Sequence, residues 1–243
     1  MALSDTAISR LLVELTNMTK EPDENVRVVF WDMIENRVET LTVTIAGPAG
    51  SVYKDADFLL DVKLPENYPQ RPPNLRFLTK IWHPNICPVT GRLYPGFYST
   101  WCECMTIKTL LGSARGLLSS PLLGDSANAI LAYQFVSNRD QFDLTARYWL
   151  HVYANATSTA YTEMDSKVAQ LIETGCCDET SARDALAFAE WDIERAFENL
   201  CGSPQLEDLD QELAIQQAIA FKDNLGDTLS SIMKCLCTVK RKS

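Results

Sequence analysis

Residues 68–111 read YPQRPPNLRFLTKIWHPNICPVTGRLYPGFYSTWCECMTIKTLL. Pro69, Pro72 and Pro73 fix the backbone and remove amide donors, so this run opens as a stiff turned approach and not as a helix or central strand. Asn74 to Ile81 then alternates as one strand would, with Leu75, Phe77 and Thr79 on one side. His83-Pro84-Asn85 begins a long loop punctuated by Gly91 and Gly96. Thr106 is placed to N-cap a helix that starts at Ile107. An irregular loop of roughly twenty residues is uncommon in a compact domain and is usually functional.

Working outward, Asp5 to Lys20 carries Ile8, Leu11, Leu12 and Leu15 at helical spacing, with Ser4 or Asp5 as the cap and Pro22 as the stop. Val26–Trp31, Val38–Ile45 and Phe58–Leu64 alternate like strands of an antiparallel meander. Gly47-Pro48 and Gly50-Ser51 supply the turn between the second and third. After the loop, helical patterns take over: Ile107–Leu118, Ala127–Val136 and Asp140–Tyr153. A meander followed by helices predicts an α+β arrangement. Residues 155–162 are small and polar, as in a linker. Met164 to Leu200 then offers three short apolar faces: Val168, Leu171 and Ile172; Ala182, Ala185 and Leu186; Ile193, Ala196, Phe197 and Leu200, the last after Trp191. In the tail, Phe221, Leu225, Leu229, Ile232 and Leu236 form a further helical stripe.

The chain of 243 residues has 22 basic and 32 acidic side chains, a formal charge of −10. That balance argues against general nucleic-acid binding, which needs surplus Lys and Arg to neutralise phosphates. No apolar run reaches the roughly 20 residues of a membrane span. The start, Met-Ala-Leu-Ser-Asp-Thr, has neither a basic region nor an apolar signal core. The expected setting is therefore the cytoplasm or nucleus, with the eight cysteines read as reduced thiols. Cys176-Cys177, Cys102-x-Cys104 and Cys235-x-Cys237 are too clustered for a secreted disulfide scaffold.

Tyr68-Pro69-x-x-Pro72-Pro73, Phe77-x-Thr79-Lys80-Ile81-Trp82-His83-Pro84-Asn85-Ile86, Trp101, Thr106-Ile107 and Thr145-Ala146-Arg147-x-Trp149 together resemble the core of ubiquitin-conjugating (UBC) enzymes. The subfamily resembled is the one with a C-terminal ubiquitin-associated (UBA) domain. The resemblance implies a UBC-like meander with flanking helices over residues 1–154, a linker at 155–162, a three-helix UBA bundle at 163–202 and a partly helical tail at 203–243. Asp210-x-Glu212 with Ile215-x-x-Ala218 is similar to a ubiquitin-interacting helix, although Lys222 stands where that motif has serine. The terminal Lys240-Arg241-Lys242 is a small basic cluster.

UBC enzymes hold ubiquitin as a thioester, which needs a thiol that both attacks and leaves readily. In the family the cysteine lies three residues after the glycine that follows His-Pro-Asn. That glycine is Gly91 here, and the position holds Tyr94, followed by Pro95 and Gly96. A phenol with a pKa near ~10 does not substitute for that thiol. Asn85 occupies the family's oxyanion-stabilising position, but with no cysteine nearby in sequence it reads first as a residue that shapes the loop by bonding to backbone. Asn138 matches the family's gate residue and reads as an ordinary helix N-terminal residue. Leu12 and Val13 stand where the first helix is usually basic toward the activating enzyme. Gln70 replaces the aromatic that docks a ligase, and Cys102-Glu103-Cys104 replaces a second docking loop. Thr174-Gly175-Cys176 replaces the methionine-glycine-aromatic loop with which UBA domains contact ubiquitin, so the resemblance implies a folded UBA whose ubiquitin affinity is weakened or altered.

Three readings follow. The first is a UBC-fold protein that has lost thioester transfer and acts by binding ubiquitin or a ubiquitin-like protein, a ligase or another conjugating enzyme. The second keeps an enzyme with a displaced nucleophile, Cys87 or Cys102. The third is a zinc site from His83, Cys87, Cys102 and Cys104, disfavoured because Cys-x-Cys is cramped beside the usual spacing. The expectation is no metal and no cofactor.

Overall fold

The computed structural model describes residues 4–21, 23–34, 37–154 and 161–201. The chain divides into two compact units, Met1–Ala127 with Gln134–Thr159, and Asn128–Tyr133 with Ala160–Ser243. The tail motifs noted above, including Cys235 and Cys237, lie outside the described residues.

In the first unit α1 (Asp5–Lys20) is capped by the Ser4 hydroxyl, which accepts from the Ala7 N–H. Its apolar stripe buries Ala7, Ile8, Leu11, Leu15 and Met18. Four strands follow as an antiparallel meander in the order β1-β2-β3-β4: β1 (Val26–Ile34), β2 (Arg37–Ala46), β3 (Asp57–Lys63) and β4 (Asn74–Phe77). Period-two alternation sends Leu41, Val43 and Ile45 of β2, Phe58, Leu60 and Val62 of β3, and Leu75 and Phe77 of β4 into one core. α1 touches β1, and α2 (Ile107–Ser119) touches β1 and β2. The Thr106 hydroxyl caps α2 by accepting from the Thr109 N–H. α3 (Ala129–Ser137) is divided between the two units, its residues up to Tyr133 belonging to the second, and α4 (Arg139–Tyr153) completes the helices of the first. Asn138 is the N-cap of α4, its side chain accepting from Gln141 N–H.

Two strand expectations change. β4 stops at Phe77, well short of Ile81. Thr79 Oγ1 accepts the Leu59 N–H at 2.9 Å, and the Leu78 and Thr79 amides turn to the Leu59 carbonyl, so the ladder ends there. On β1 the apolar residues Val29, Phe30 and Trp31 are exposed instead of alternating. A register shift between Val28 and Phe30 breaks the pleat of this edge strand.

In the second unit, α5 (Thr162–Glu173), α6 (Glu179–Phe188) and α7 (Ile193–Cys201) form a three-helix bundle. Met164, Val168, Leu171, Ala182, Leu186, Ala187, Trp191 and Ala196 make its core. The Asp178 side chain caps α6 at the Ser181 N–H. Ile172 and Phe197, expected inside, are exposed. The inner faces of the helices are taken instead by Leu171 on α5, Ala182, Leu186 and Ala187 on α6 and Ala196 on α7, all buried.

Candidate functional site

The long loop is held by main chain. Phe77 N–H donates to Gly91 O at 2.8 Å, Cys87 N–H to Arg92 O at 2.8 Å, and Tyr94 N–H to Asn85 O at 3.0 Å. Ile86 pairs antiparallel with Leu93. The result is a small hairpin whose two arms carry Asn85 and Tyr94 side by side. Its corner needs glycine: Gly91 has φ +71°, and a Cβ there would lie 2.0 Å from the Phe77 carbonyl oxygen.

Behind this hairpin His83 is fully buried. Its Nδ1 accepts the Asn85 N–H at 3.0 Å, and its Nε2 lies 3.2 Å from the Leu117 carbonyl. A backbone amide only donates and a carbonyl only accepts, so the geometry selects the neutral ring protonated on Nε2. Burial pushes the ring's pKa down from its ordinary range to about 3, against the raising effect of the Leu117 bond. His83 is thus a loop-ordering group with both nitrogens engaged.

Asn85 is also buried, and its amide is used at both ends. Nδ2 donates to Leu122 O at 2.7 Å, and Oδ1 accepts the Leu122 N–H at 2.8 Å. This reciprocal pair fastens the segment after α2, and the nearby Ala127 N–H donates to Pro84 O at 2.8 Å. Tyr94 caps a 3-10 turn, Pro95–Thr100, and its ring packs edge-on against Phe97 with centroids 6.4 Å apart. Its side chain is buried, with 5% of the residue accessible.

The candidate thiols differ in state. Cys87 lies at the hairpin's turn, half-buried, and its Sγ accepts the Thr90 N–H at 3.5 Å. Cys102 is disulfide-bonded to Cys104. This corrects the reduced-thiol expectation for that pair and leaves Cys102 no free thiol. The turn closed by Met105 N–H to Cys102 O brings the two Cα atoms to 5.4 Å, inside the range a disulfide spans. Among the described residues no cluster of three or more His, Cys, Asp or Glu groups is arranged to hold a metal.

One feature was not found from sequence. Glu14 of α1, buried, accepts from Arg10 Nε at 2.8 Å, from the Tyr68 hydroxyl at 2.7 Å and from the Ile107 N–H at 2.8 Å. The last donor is a free amide at the N-terminus of α2, where negative charge is favoured. Arg10 continues to the carbonyls of Glu103 and Met105. Its hydrogen bond to Glu14 raises its pKa further. The phenol of Tyr68 is raised by burial first and by Glu14 second. Trp101 Nε1 donates to Pro69 O at 2.8 Å. α1, the Tyr68-Pro69 turn and the 101–105 turn therefore form one end of the unit. Gln70 is exposed there, and on α1 Val13 is exposed and Leu12 half-buried. The only trace in the sequence is the i,i+4 spacing of Arg10 and Glu14.

In the second unit Thr174-Gly175-Cys176 forms an exposed turn after α5. Gly175 has φ +76° and its N–H donates to Ile172 O at 2.9 Å, which closes the helix.

This combination of a four-stranded meander, a His-Pro-Asn hairpin and flanking helices is that of a ubiquitin-conjugating-type domain. The family profile described as ubiquitin-conjugating enzyme matches residues 10–150, and the chain belongs to that family. It is 35% identical over 199 residues to Drosophila melanogaster ubiquitin-conjugating enzyme E2-22 kDa, covering 82% of this chain and 99% of that one. Identity to Homo sapiens ubiquitin-conjugating enzyme E2 K is also 35%, over 82% of this chain and 98% of the relative. Among solved structures, the E2 domain of a Toxoplasma gondii ubiquitin-conjugating enzyme superposes with TM-score 0.53 at 33% identity, over 60% of this chain and 97% of that one.

Proposed function

We propose that this UBC-family chain works by holding ubiquitin or a pathway partner and does not carry ubiquitin as a thioester. The observation behind this reading is Tyr94, whose backbone is bonded to Asn85 and whose ring is buried against Phe97. A phenol at the position the family reserves for its cysteine offers neither the thiolate nor the leaving group the transfer needs. Asn85 supports the same reading, because both ends of its amide are already engaged with Leu122. It acts here as a strut of the loop.

In the same proposal the bundle at 163–202 is a UBA-type module that meets ubiquitin through Thr174, Gly175 and Cys176. Exposed Ile172 and Phe197 are apolar surface in the same unit. Residues 1–154 are the UBC-like module, and 155–162 join the two. Leu12, Val13 and Gln70 modify the end built by Arg10, Glu14 and Tyr68, where the family's activating-enzyme and ligase partners dock. Loss of complementary charge slows such encounters, and loss of an aromatic anchor removes the residue type that costs most at an interface. We place this activity in the cytoplasm or nucleus. Among the described residues no helix is long and apolar enough to cross a membrane.

The test is a charging assay with activating enzyme, ATP and ubiquitin. No reductant-sensitive adduct is expected, while a resin bearing ubiquitin retains the chain. Cys87 is the free thiol of the hairpin. A reductant-sensitive adduct abolished by Cys87→Ser sinks the binding-only reading and establishes an enzyme with a displaced nucleophile.

A further inference from the structure

The turn after α5 and the last residue of α7 bring two sulfurs into contact. Cys201 Sγ lies 3.5 Å from Cys176 Sγ, across 25 residues of sequence. Both residues are exposed, and neither is in a disulfide. Their frame is fixed from both sides. Gly175 closes α5 through its bond to Ile172 O, and α7 is anchored by buried Ala196. Cys177, the next residue, is half-buried instead. The sulfurs need to approach by roughly 1.5 Å to reach the ~2.05 Å of a disulfide, a movement that side-chain rotation of two exposed cysteines supplies.

We propose that Cys176 and Cys201 form a reversible disulfide whose formation weakens ubiquitin binding by the 174–176 turn. The second half rests on the assignment of that turn to ubiquitin.

The oxidant is a low-molecular-weight disulfide such as oxidised glutathione. Cys176, the acceptor of the sulfur–sulfur hydrogen bond, loses its proton to solvent. Its thiolate then attacks one sulfur of the oxidant and expels one glutathione thiolate. Cys201, deprotonated in turn, attacks the Cys176 sulfur of the mixed disulfide and expels the second. Two protein thiols become one disulfide, and one oxidised glutathione becomes two reduced ones, which take up the two protons. The hydrogen bond to Cys176 raises the Cys201 thiol, so Cys201 keeps its proton longer and suits the second, resolving step. Burial raises Cys177, which makes it the slower competitor. Once joined, the Cys176 side chain, already 3.5 Å from Cys201, is locked to the end of α7, and the turn can no longer adjust to ubiquitin.

The full-length chain is equilibrated in reduced and oxidised glutathione, quenched in acid, alkylated and mapped by peptide mass. A cross-link between the peptides holding Cys176 and Cys201 is expected. Dithiothreitol removes it, Cys177→Ser leaves it, and Cys176→Ser or Cys201→Ser abolishes it. A cross-link that survives Cys176→Ser, or glutathione retained on Cys176 without a cross-link, overturns the proposal. Ubiquitin is then titrated into the oxidised and reduced Cys177→Ser chain. The oxidised form is expected to bind at least about five-fold more weakly, with Cys201→Ser insensitive to the glutathione ratio. Equal affinities overturn the regulatory half. An absence of ubiquitin binding in both states instead overturns the assignment of the turn to ubiquitin, and the cross-link is then judged by the mapping alone.

Discussion

Gly91 and His83 show how single positions hold the hairpin. At Gly91 a Cβ would meet the Phe77 carbonyl oxygen at 2.0 Å, on a backbone already left-handed at φ +71°. Gly91→Ala is expected to cost at least ~2 kcal/mol in urea unfolding, from the left-handed backbone and the displaced carbonyl together. His83 gives a pH dependence. Its folded pKa, about 3, lies below the ordinary value of 6.5. The unfolded chain therefore binds more protons between those values, and stability falls as pH drops from 6.5 toward 3 and is fully present above 6.5. By pH 5 the loss is roughly 2 kcal/mol at ~1.4 kcal/mol per unit. Ring-proton NMR should show His83 neutral throughout pH 7 to ~4.5, and titration near the ordinary histidine range would falsify the buried, doubly bonded ring. The sequence was unequally informative about Gly91 and Asn85. Gly91 was legible as the corner of a loop, because glycine marks turns. At Asn85 the sequence favoured the loop strut over the oxyanion stabiliser, but its partner Leu122 is 37 positions away and no local pattern announces it.

Between elements the decisive group is Glu14. It joins α1 to the Tyr68 turn and to the first amide of α2. Glu14→Ala leaves the Tyr68 hydroxyl, the Ile107 amide and part of the Arg10 guanidinium without their acceptor. An unsatisfied buried network of that kind is expected to cost about 2–4 kcal/mol in denaturant unfolding. Glu14→Gln, which keeps two of the acceptor sites but no charge, should lie between. Capping is a smaller effect: Asp178→Ala should destabilise the three-helix unit by ~1 kcal/mol, read by thermal melting. Helices were the most legible elements, because Ser4, Asp5 and Thr106 with 3.6-periodic apolar residues mark α1 and α2 without tertiary help. β4 and the face of β1 were not legible. A side chain from outside the ladder ends β4, where Thr79 takes the Leu59 amide. A register shift that alternation does not encode turns Val29 and Phe30 outward on β1.

For the molecule as a whole, the formal charge of −10 sets which partners approach. A chain with this excess of carboxylates should pass unretarded through a phosphate- or DNA-bearing column at physiological salt, since it has no surplus cations with which to release counterions. Retention there would point to a basic face that net charge conceals. Family and α+β architecture were legible because the proline-rich turn, His-Pro-Asn and Thr-Ala-Arg-x-Trp spread over most of one unit. The pairing of Cys102 with Cys104 and the contact of Cys176 with Cys201 were not, because cysteine counts carry no distances.

The His-Pro-Asn hairpin is fastened by amides and carbonyls, at Phe77 to Gly91, Cys87 to Arg92 and Tyr94 to Asn85. Such fastening is blind to which side chain hangs from position 94. The seat and its tenant are thus separable: a change of side chain at position 94 leaves the main-chain frame intact, and an engineered sulfur there would inherit a frame already standing.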